Sequence, residues 1–438
     1  MRLPKRDIEN DKLNRENHIV LFQKLLENAI GPYVISIDAP WGTGKTHFVK
    51  IINSNLGEDY TTIFLNAWES DYTNEPLVTL ISELKQVIPE DDFDTIADNF
   101  LKISKIILPT AIKIASSGLI DIENIAEGVS EIGEKFIERK LDKYHSEKES
   151  INNLKIKLRE VALSSKNGKI IVFLDELDRC RPDYAIKFIE NVKHFFDLEG
   201  YIFVLSVDET QLIEAIKSLY GVNFDAEKYL RRFVDYKFTL EANIKRGFVE
   251  DTVKRIGLYD FLKNHPRQGI NNAEDFISIC SYIFSSSNLT ARDVNQIISQ
   301  INILILSFNN DTGFEPIGLL ISLVTLKYRN KKLYSSFLRK AVDPEKVIIE
   351  LGLHQYLDKK GNICDYNPYL VSNLLYWANE GTIESKYYEM LKSDSEVEEG
   401  LNGKNLTYAK EVIYRINRNS YSSDPIKYIS DLIEMNRT

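Results

Sequence analysis

The sequence contains little cysteine, which limits the disulfide and zinc chemistry that it can support. Its 438 residues include three cysteines, Cys180, Cys280 and Cys364. They are far apart and show no C-x-x-C spacing, so we expect neither a disulfide framework nor a structural zinc site. This usage is typical of a reducing cytoplasm, which is the localisation that we predict.

The sequence also lacks apolar runs of membrane-spanning length. The opening segment MRLPKRDIEND carries charges before any apolar run, which predicts no export signal. Residues 103–120, ISKIILPTAIKIASSGLI, are interrupted by Lys105, Pro109 and Lys113 into pieces too short for a hydrocarbon core of about 30 Å. We therefore predict no membrane span and interpret this segment as an amphipathic hairpin.

Basic charge is in deficit, since 55 Lys and Arg residues stand against 65 Asp and Glu residues, a net charge of −10. This sign opposes a general affinity for nucleic acid or anionic lipid, so any such binding must be local. The chain is 43% hydrophobic and 27% charged, which indicates a folded protein. Its length predicts about two to four domains.

Five short apolar runs alternate with helical patterns over the first 240 residues. This alternation predicts an α/β sandwich with a mostly parallel, buried sheet. About a hundred residues separate the second and third runs, more than one crossover helix needs, so we predict a helical insertion near residues 91–158. The predicted strands are residues 33–38, 61–66, 169–175, 201–208 and 235–240.

The helical periodicity after residue 240 continues to the C-terminus, so we predict an α-helical second half. We divide it near Phe308, where SFNNDTGFEP combines turn-forming residues. The predicted domains are an α/β core at residues 1–240, a lid-like helical unit at residues 241–308 and an α-helical domain at residues 309–438.

A glycine-containing turn follows the first predicted strand. The sequence APWGTGKT matches the second half of the G-x-x-x-x-G-K-[ST] pattern, with Ala39 where the first glycine is usual. Gly42 and Gly44 let successive backbone amides form an anion nest, Lys45 would reach the β and γ phosphates, and Thr46 would bind Mg²⁺. The alternative is a glycine turn with an incidental Lys-Thr pair. We assign nucleotide binding to eight residues: Pro40, Trp41, Gly42, Thr43, Gly44, Lys45, Thr46 and His47.

Alanine at position 39 leaves two alternatives open. Either Ala39 has an ordinary backbone conformation, or the nucleotide affinity of the loop is reduced.

Two acids end the third predicted strand. In IIVFLDE, Asp175 is the expected Mg²⁺ partner and Glu176 would polarise the attacking water. Without the glycine loop, two such acids are more typical of a solvated turn. Arg179 would stabilise phosphate charge on a neighbouring subunit, with an ion pair to Asp178 as the alternative. We expect Cys180 to serve packing.

Three motifs occur together: WGTGKT at residues 41–46, NAW at 66–68 and DELDRC at 175–180. In this combination the chain resembles the KAP family of P-loop NTPases, near the STAND and AAA+ groups, over most of its first 310 residues. The resemblance implies a P-loop NTPase sandwich that uses ATP and Mg²⁺. The family's insertion often holds transmembrane helices, whereas this one keeps charges, which implies a soluble member.

The resemblance implies further roles at single positions. In DKLNRE, Arg15 would lie against the adenine. Asp208 would act as a sensor of the γ-phosphate, with a helix cap as the alternative. Arg231 or Arg232 would be an arginine finger acting across an interface. Arg292 would report the nucleotide state.

These observations favour an ATPase that acts as a nucleotide-driven switch or motor for a protein partner or within a homo-oligomer. Several prokaryotic relatives act in antiviral or exclusion systems, so the resemblance suggests defence. One alternative is a nucleotide-binding scaffold that does not hydrolyse. Another is an ATPase that engages nucleic acid through the six basic residues between Lys327 and Lys340, which the net charge does not favour and which a solvated helix face also explains.

Overall fold

The structure is a computed structural model, and it divides into two compact units. One unit contains Asp11 and residues 15–241, and the other contains residues 12–14 and the described residues from 244 onward. The structure describes residues 11–100, 129–241, 244–264, 273–287, 289–307, 317–354, 370–372, 374–375, 430 and 433–434.

The first unit is built on a five-stranded parallel sheet with the order β2-β3-β4-β1-β5. All five predicted strands are confirmed to within a residue or two at their ends. Every residue of β3 and β4 is buried, and a strand that is buried on both faces needs the continuous apolar run that the sequence shows there. The strands are β1 Tyr33–Asp38, β2 Thr61–Asn66, β3 Ile170–Asp175, β4 Tyr201–Val207 and β5 Tyr236–Thr239.

Helices cover both faces of this sheet. Alternate residues of one strand point to opposite faces, so Phe173 packs in the cluster with Phe22 and Phe48 while Leu174 packs in the cluster on the other face. The helices are α1 Glu16–Asn28, α2 Lys45–Leu56, α3 Ala67–Ser70, α4 Pro76–Leu84, α5 Val129–Ser164, α6 Pro182–Phe196, α7 Glu209–Tyr220 and α8 Ala226–Leu230. The α/β P-loop fold predicted from the sequence is thereby confirmed.

The insertion between β2 and β3 is helical where the structure describes it, over residues 90–100 and in α5. The apolar segment at residues 103–120 lies outside the described residues. Within the described part of the chain, no helix has both the length and the apolar character needed to cross a bilayer.

A buried lysine closes the C-terminal end of α1. The Lys169 ammonium donates to the carbonyl oxygens of Leu26 at 3.2 Å, Glu27 at 2.8 Å and Ala29 at 2.5 Å. These carbonyls have lost their helical partners, and a cation there also complements the helix dipole. Burial lowers the pKa of Lys169.

The strand register brings four polar side chains to the carboxyl edge of the sheet. Asn66 is level with Asp175, and Asp175 is level with Ser206. Asp38 ends β1, beside Val207 of β4. Ligands of open α/β sheets bind at this edge, so the sheet positions these groups for a site.

Within the described residues, the regular secondary structure of the second unit is α-helical. Its helices are α9 Arg246–Arg255, α10 Leu258–Asn264, α11 Ala273–Ser286, α12 Ala291–Ser307, α13 Ile317–Arg329, α14 Lys331–Leu338 and α15 Pro344–Glu350. Described residues on both sides of residues 308–316 share one hydrophobic cluster. Phe308 itself lies outside the described residues, and the predicted boundaries at 240 and 308 stay predictions.

Candidate nucleotide-binding site

The loop after β1 takes a backbone conformation that glycine adopts most easily. Gly42 and Gly44 both have φ of +86°, and Gly44 is the residue from which α2 starts. Such a loop turns backbone amides toward the N-terminus of the helix, where a polyphosphate would be held. Ala39 is buried and is not among the residues of positive φ, so the first of its two alternatives, an ordinary conformation, is the one observed.

Lys45 lies inside this loop with 9% of its surface exposed. Its ammonium donates to the carbonyl oxygens of Ala39 at 2.5 Å and Pro40 at 3.4 Å. Burial lowers the pKa of Lys45, and four surrounding carboxylates oppose that effect. The carboxylates, from the strongest effect to the weakest, are Asp178, Asp208, Asp175 and Asp38. The loop therefore places one ammonium group amid several acids.

Arg15 supports the loop from within the protein. Its guanidinium pairs with Asp11 at 2.5 Å and donates to the carbonyl oxygens of Thr43 at 3.4 Å and Gly44 at 3.1 Å. It also lies over the Phe48 ring, with 5.5 Å from Cζ to the ring centroid. Arg15 is only 1% exposed, and the adenine contact that the family resemblance implies for it stays a prediction.

The acidic end of β3 is held by local contacts. Asp175 is buried, and its Oδ1 accepts a hydrogen bond from the Glu176 amide at 3.1 Å. Glu176 has φ of +61°, which turns the chain directly after the strand. Arg179 pairs with Glu176 Oε1 at 2.8 Å, and the Asn66 amide donates to Glu176 Oε2 at 3.3 Å. The ion pair of Arg179 is thus with Glu176, whereas the alternative considered from the sequence was a pair with Asp178.

Asp178 and Asp208 meet at the start of α7. The Asp178 Oδ2 atom accepts hydrogen bonds from Trp41 Nε1 at 2.6 Å and from the Asp208 amide at 2.7 Å. Burial raises the pKa of Asp178, and these hydrogen bonds oppose the rise. The Asp208 side chain accepts from the amides of Thr210 and Gln211, at 3.1 and 3.4 Å, and so caps α7. This geometry is that of the helix cap, and the sensor role of Asp208 stays a prediction.

The remaining predicted residues lie farther along the chain or at the surface. Arg231 and Arg232 follow α8 and are exposed, the first paired with Glu227 and the second over the ring of Tyr229. Arg292 is exposed on α12, in the second unit. Their finger and sensor roles stay predictions. His47 is exposed beside the loop, whereas Thr43 is buried and its hydroxyl donates to the Pro40 carbonyl at 2.9 Å.

Ser206 is a site residue that the sequence analysis missed. Its buried hydroxyl has no hydrogen-bond partner within the described part of the chain, and it lies level with Asp175. A polar residue inside the apolar run YIFVLSV was the available signal. A buried hydroxyl without a partner, level with a buried carboxylate, fits a polyphosphate with Mg²⁺, whose ligands are oxygen atoms.

The parallel sheet, the glycine loop and the acidic strand end define a P-loop nucleotide-binding domain. The chain belongs to the KAP family, because the model of the KAP family P-loop domain matches residues 15–307. The predicted family is therefore confirmed.

Two relatives show how far the similarity extends. The chain is 23% identical to the phage T7 exclusion protein of Escherichia coli K12 over 290 residues, which cover 61% of this chain and 38% of that protein. It is 28% identical to an uncharacterised protein of Methanocaldococcus jannaschii over 121 residues, or 25% of this chain and 60% of that protein. The matches thus cover less than two thirds of either relative.

Two solved structures are distant matches to this chain. The Aeropyrum pernix ORC2 protein, in its ADPNP–ADP complexes, matches with a TM-score of 0.36 and 11% identity, covering 98% of both chains. A DNA replication initiation factor matches with a TM-score of 0.27 and 12% identity, covering 94% of this chain and 99% of that one. Scores this low carry no argument about function.

Proposed function

We propose that this protein binds ATP with Mg²⁺, hydrolyses it, and uses the nucleotide state as a switch or motor for a protein partner or for further copies of itself. The observation that carries the proposal is the placement of Lys45 in a glycine loop, amid the carboxylates at the carboxyl edge of the sheet. This arrangement suits a polyanion bound with a divalent cation.

Each group in the loop has a role in this proposal. The amides around Gly42 and Gly44 would hold the phosphate oxygens, and the Lys45 ammonium would leave the Ala39 carbonyl to bind them. Thr46 and Asp175 would hold Mg²⁺, which would neutralise charge on the phosphates when bound.

Glu176 is the proposed general base. In the described arrangement both of its carboxylate oxygens are engaged, one by Arg179 and one by Asn66. A general base must lie within hydrogen-bond reach of its water, so activation requires at least one of these two contacts to break. The same observation favours the second candidate function, a nucleotide-binding scaffold that does not hydrolyse.

One variant tests nucleotide binding, which both functions require, and a second variant distinguishes the two functions. Lys45→Ala removes the charge that contacts the phosphates, so we expect calorimetry to show no ATP binding in either case. Glu176→Gln should keep ATP binding and lower steady-state phosphate release by about 100-fold or more. Glu199→Gln is the matched control, because Glu199 pairs with Arg159 at the surface.

The outcomes separate the candidates. Wild-type protein that binds ATP but releases phosphate at the Glu176→Gln rate would establish the scaffold. Wild-type protein that gives no heat with ATP and Mg²⁺ would refute both functions. Competition between ATP and GTP in the calorimeter cell tests whether the site prefers adenine to guanine.

A role for the exposed arginines requires assembly. Arg231 and Arg232 would act across an interface between copies of the chain, and their exposure supports that placement. We expect the mass in solution to rise when ATP and Mg²⁺ are added to Glu176→Gln protein. A monomer under all conditions would eliminate Arg179, Arg231 and Arg232 as fingers acting between subunits.

Antiviral defence is the proposed biological setting. Its support is the name of the E. coli relative, the phage T7 exclusion protein, to which the chain is 23% identical over 290 residues. Cells that express the wild-type chain should reduce phage plating, and cells that express Lys45→Ala should not. Equal plating on both would remove this part of the proposal.

The nucleic-acid alternative loses support from the environment of its basic segment. Lys327 pairs with Glu434 at 3.2 Å and Arg329 with Glu350 at 3.2 Å. Tyr334 is 1% exposed, so its ring is not available to stack on a base. We expect no salt-dependent retention of DNA or RNA in a filter-binding assay.

A further inference from the structure

One carboxylate oxygen joins three segments of the nucleotide site. Asp178 lies in the short turn Leu177–Arg179 that follows Glu176. Its Oδ2 atom accepts the indole N–H of Trp41, at 2.6 Å, and the backbone amide of Asp208, at 2.7 Å. These donors belong to the phosphate loop and to the start of α7. The turn after β3 is thereby tied to both.

Burial alone does not account for the tryptophan in this loop. The Trp41 side chain is 42% exposed, so much of its apolar surface remains in water. What the indole provides is one N–H donor, directed at a charged acceptor at a short distance. Hydrogen bonds to ionised acceptors are roughly twice as strong as neutral ones. Trp41 therefore serves the loop chiefly as a hydrogen-bond donor.

Asp178 also faces the phosphate-binding lysine. Of the four carboxylates that act on the Lys45 ammonium, Asp178 has the strongest effect. A negative charge at that position repels a polyphosphate, so its charge by itself opposes nucleotide binding. Its hydrogen bonds must therefore contribute a favourable effect on binding that offsets this repulsion.

We propose that Asp178 is a positioning residue. Through its hydrogen bond with Trp41, it holds the phosphate loop in a fixed position relative to the turn that follows Glu176 and to the start of α7. The inference rests on the proposed function, since the loop is positioned for a nucleotide. We call the two hydrogen bonds to Asp178 Oδ2 the tie, and it can be measured separately from nucleotide binding.

The first experiment observes the tie in nucleotide-free protein. In ¹⁵N-tryptophan-labelled full-length chain, the Trp41 indole signal is assigned by its loss in Trp41→Phe. We expect that signal to exchange slowly with solvent and to shift upfield in Asp178→Ala. Asp225→Ala is the matched control, since Asp225 caps α8 by accepting the Lys228 amide at 3.0 Å and should leave the signal in place. An unchanged signal in Asp178→Ala would overturn the tie.

The second experiment measures what the tie does for binding. We expect Asp178→Ala and Trp41→Phe each to raise the Kd for ATP with Mg²⁺ by about tenfold, the equivalent of one lost charge-assisted hydrogen bond. The double variant should bind no more weakly than Asp178→Ala alone, because both changes break the same contact. Asp178→Asn keeps an acceptor oxygen and removes the repelling charge, so it should restore Kd to within about threefold of wild type.

The outcomes separate this inference from the proposed function. Wild-type protein that binds no ATP would refute the proposed function, while the indole signal would still test the tie. If Asp178→Ala and Trp41→Phe bind ATP as tightly as the wild-type protein does, positioning by Asp178 is refuted. Additive losses in the double variant would also refute it. Trp68→Phe, which changes a tryptophan that is 53% exposed, controls for the loss of a tryptophan.

Discussion

The buried pair beneath the phosphate loop gives the sharpest prediction on stability. In Arg15→Met the guanidinium is lost, and the Asp11 side chain, 0% exposed, keeps one donor among the described residues, the Arg15 amide at 2.7 Å. Breaking a buried ion pair on one side costs about 3–5 kcal/mol. The carbonyls of Thr43 and Gly44 lose a donor as well, which places the expected loss toward the upper end of that range.

A loss of this size is a large fraction of the total stability of a typical domain, about 5–15 kcal/mol. We expect the urea midpoint of Arg15→Met to fall accordingly and the Kd for ATP to rise, because the loop loses its support. Arg159→Met is the matched control: Arg159 and its partner Glu199 are both about half exposed, and such pairs contribute about 0–1 kcal/mol. Equal midpoints for the two variants would refute the reasoning. Changing Asp11→Asn in the Arg15→Met background should recover part of the loss, since it removes the stranded charge.

Three further predictions follow from single side chains. Burial raises the pKa of Asp178 in the folded chain, so its contribution to stability is complete below its unfolded pKa and is lost as the pH rises through the raised folded pKa. Asp178→Asn should therefore have a higher melting temperature than wild type at pH 7. In thermal scans this gain should shrink toward pH 4. Lys169→Met should cost about 1–3 kcal/mol in urea unfolding, since three carbonyls lose their donor, whereas Lys193→Met at an exposed pair should cost less than about 1 kcal/mol. Ser206→Ala should leave stability unchanged or higher while lowering phosphate release, and a lower melting temperature would show that the hydroxyl has a structural partner.

The strands and the loop were predictable because their signals are local. A buried parallel strand needs a continuous apolar run, so β3 and β4 stand out from the sequence alone. The positive φ at Gly42 and Gly44 likewise follows from the one residue type that adopts it without strain. Neither inference requires knowledge of what packs against the element.

The partners of charged side chains were not predictable, because they depend on geometry that no short pattern encodes. The contacts of the Arg15 guanidinium with the carbonyl oxygens of Thr43 and Gly44, for example, were not predicted. Ser206 became recognisable only when the register placed it level with Asp175. A one-residue change in the register of β4 would have pointed the Ser206 side chain to the opposite face of the sheet.

Arg179 and Glu176 restrict how hydrolysis can proceed. The two side chains are three residues apart in a tight turn that begins with the positive φ of Glu176, and their ion pair at 2.8 Å is partly shielded from water. In the described arrangement the Arg179 guanidinium is engaged by Glu176 of its own chain. If Arg179 restrains the base, Arg179→Ala should speed phosphate release, whereas if it is a finger, the same change should slow release. The sign of that change decides which role the turn serves, and it does so without any assumption about the partner.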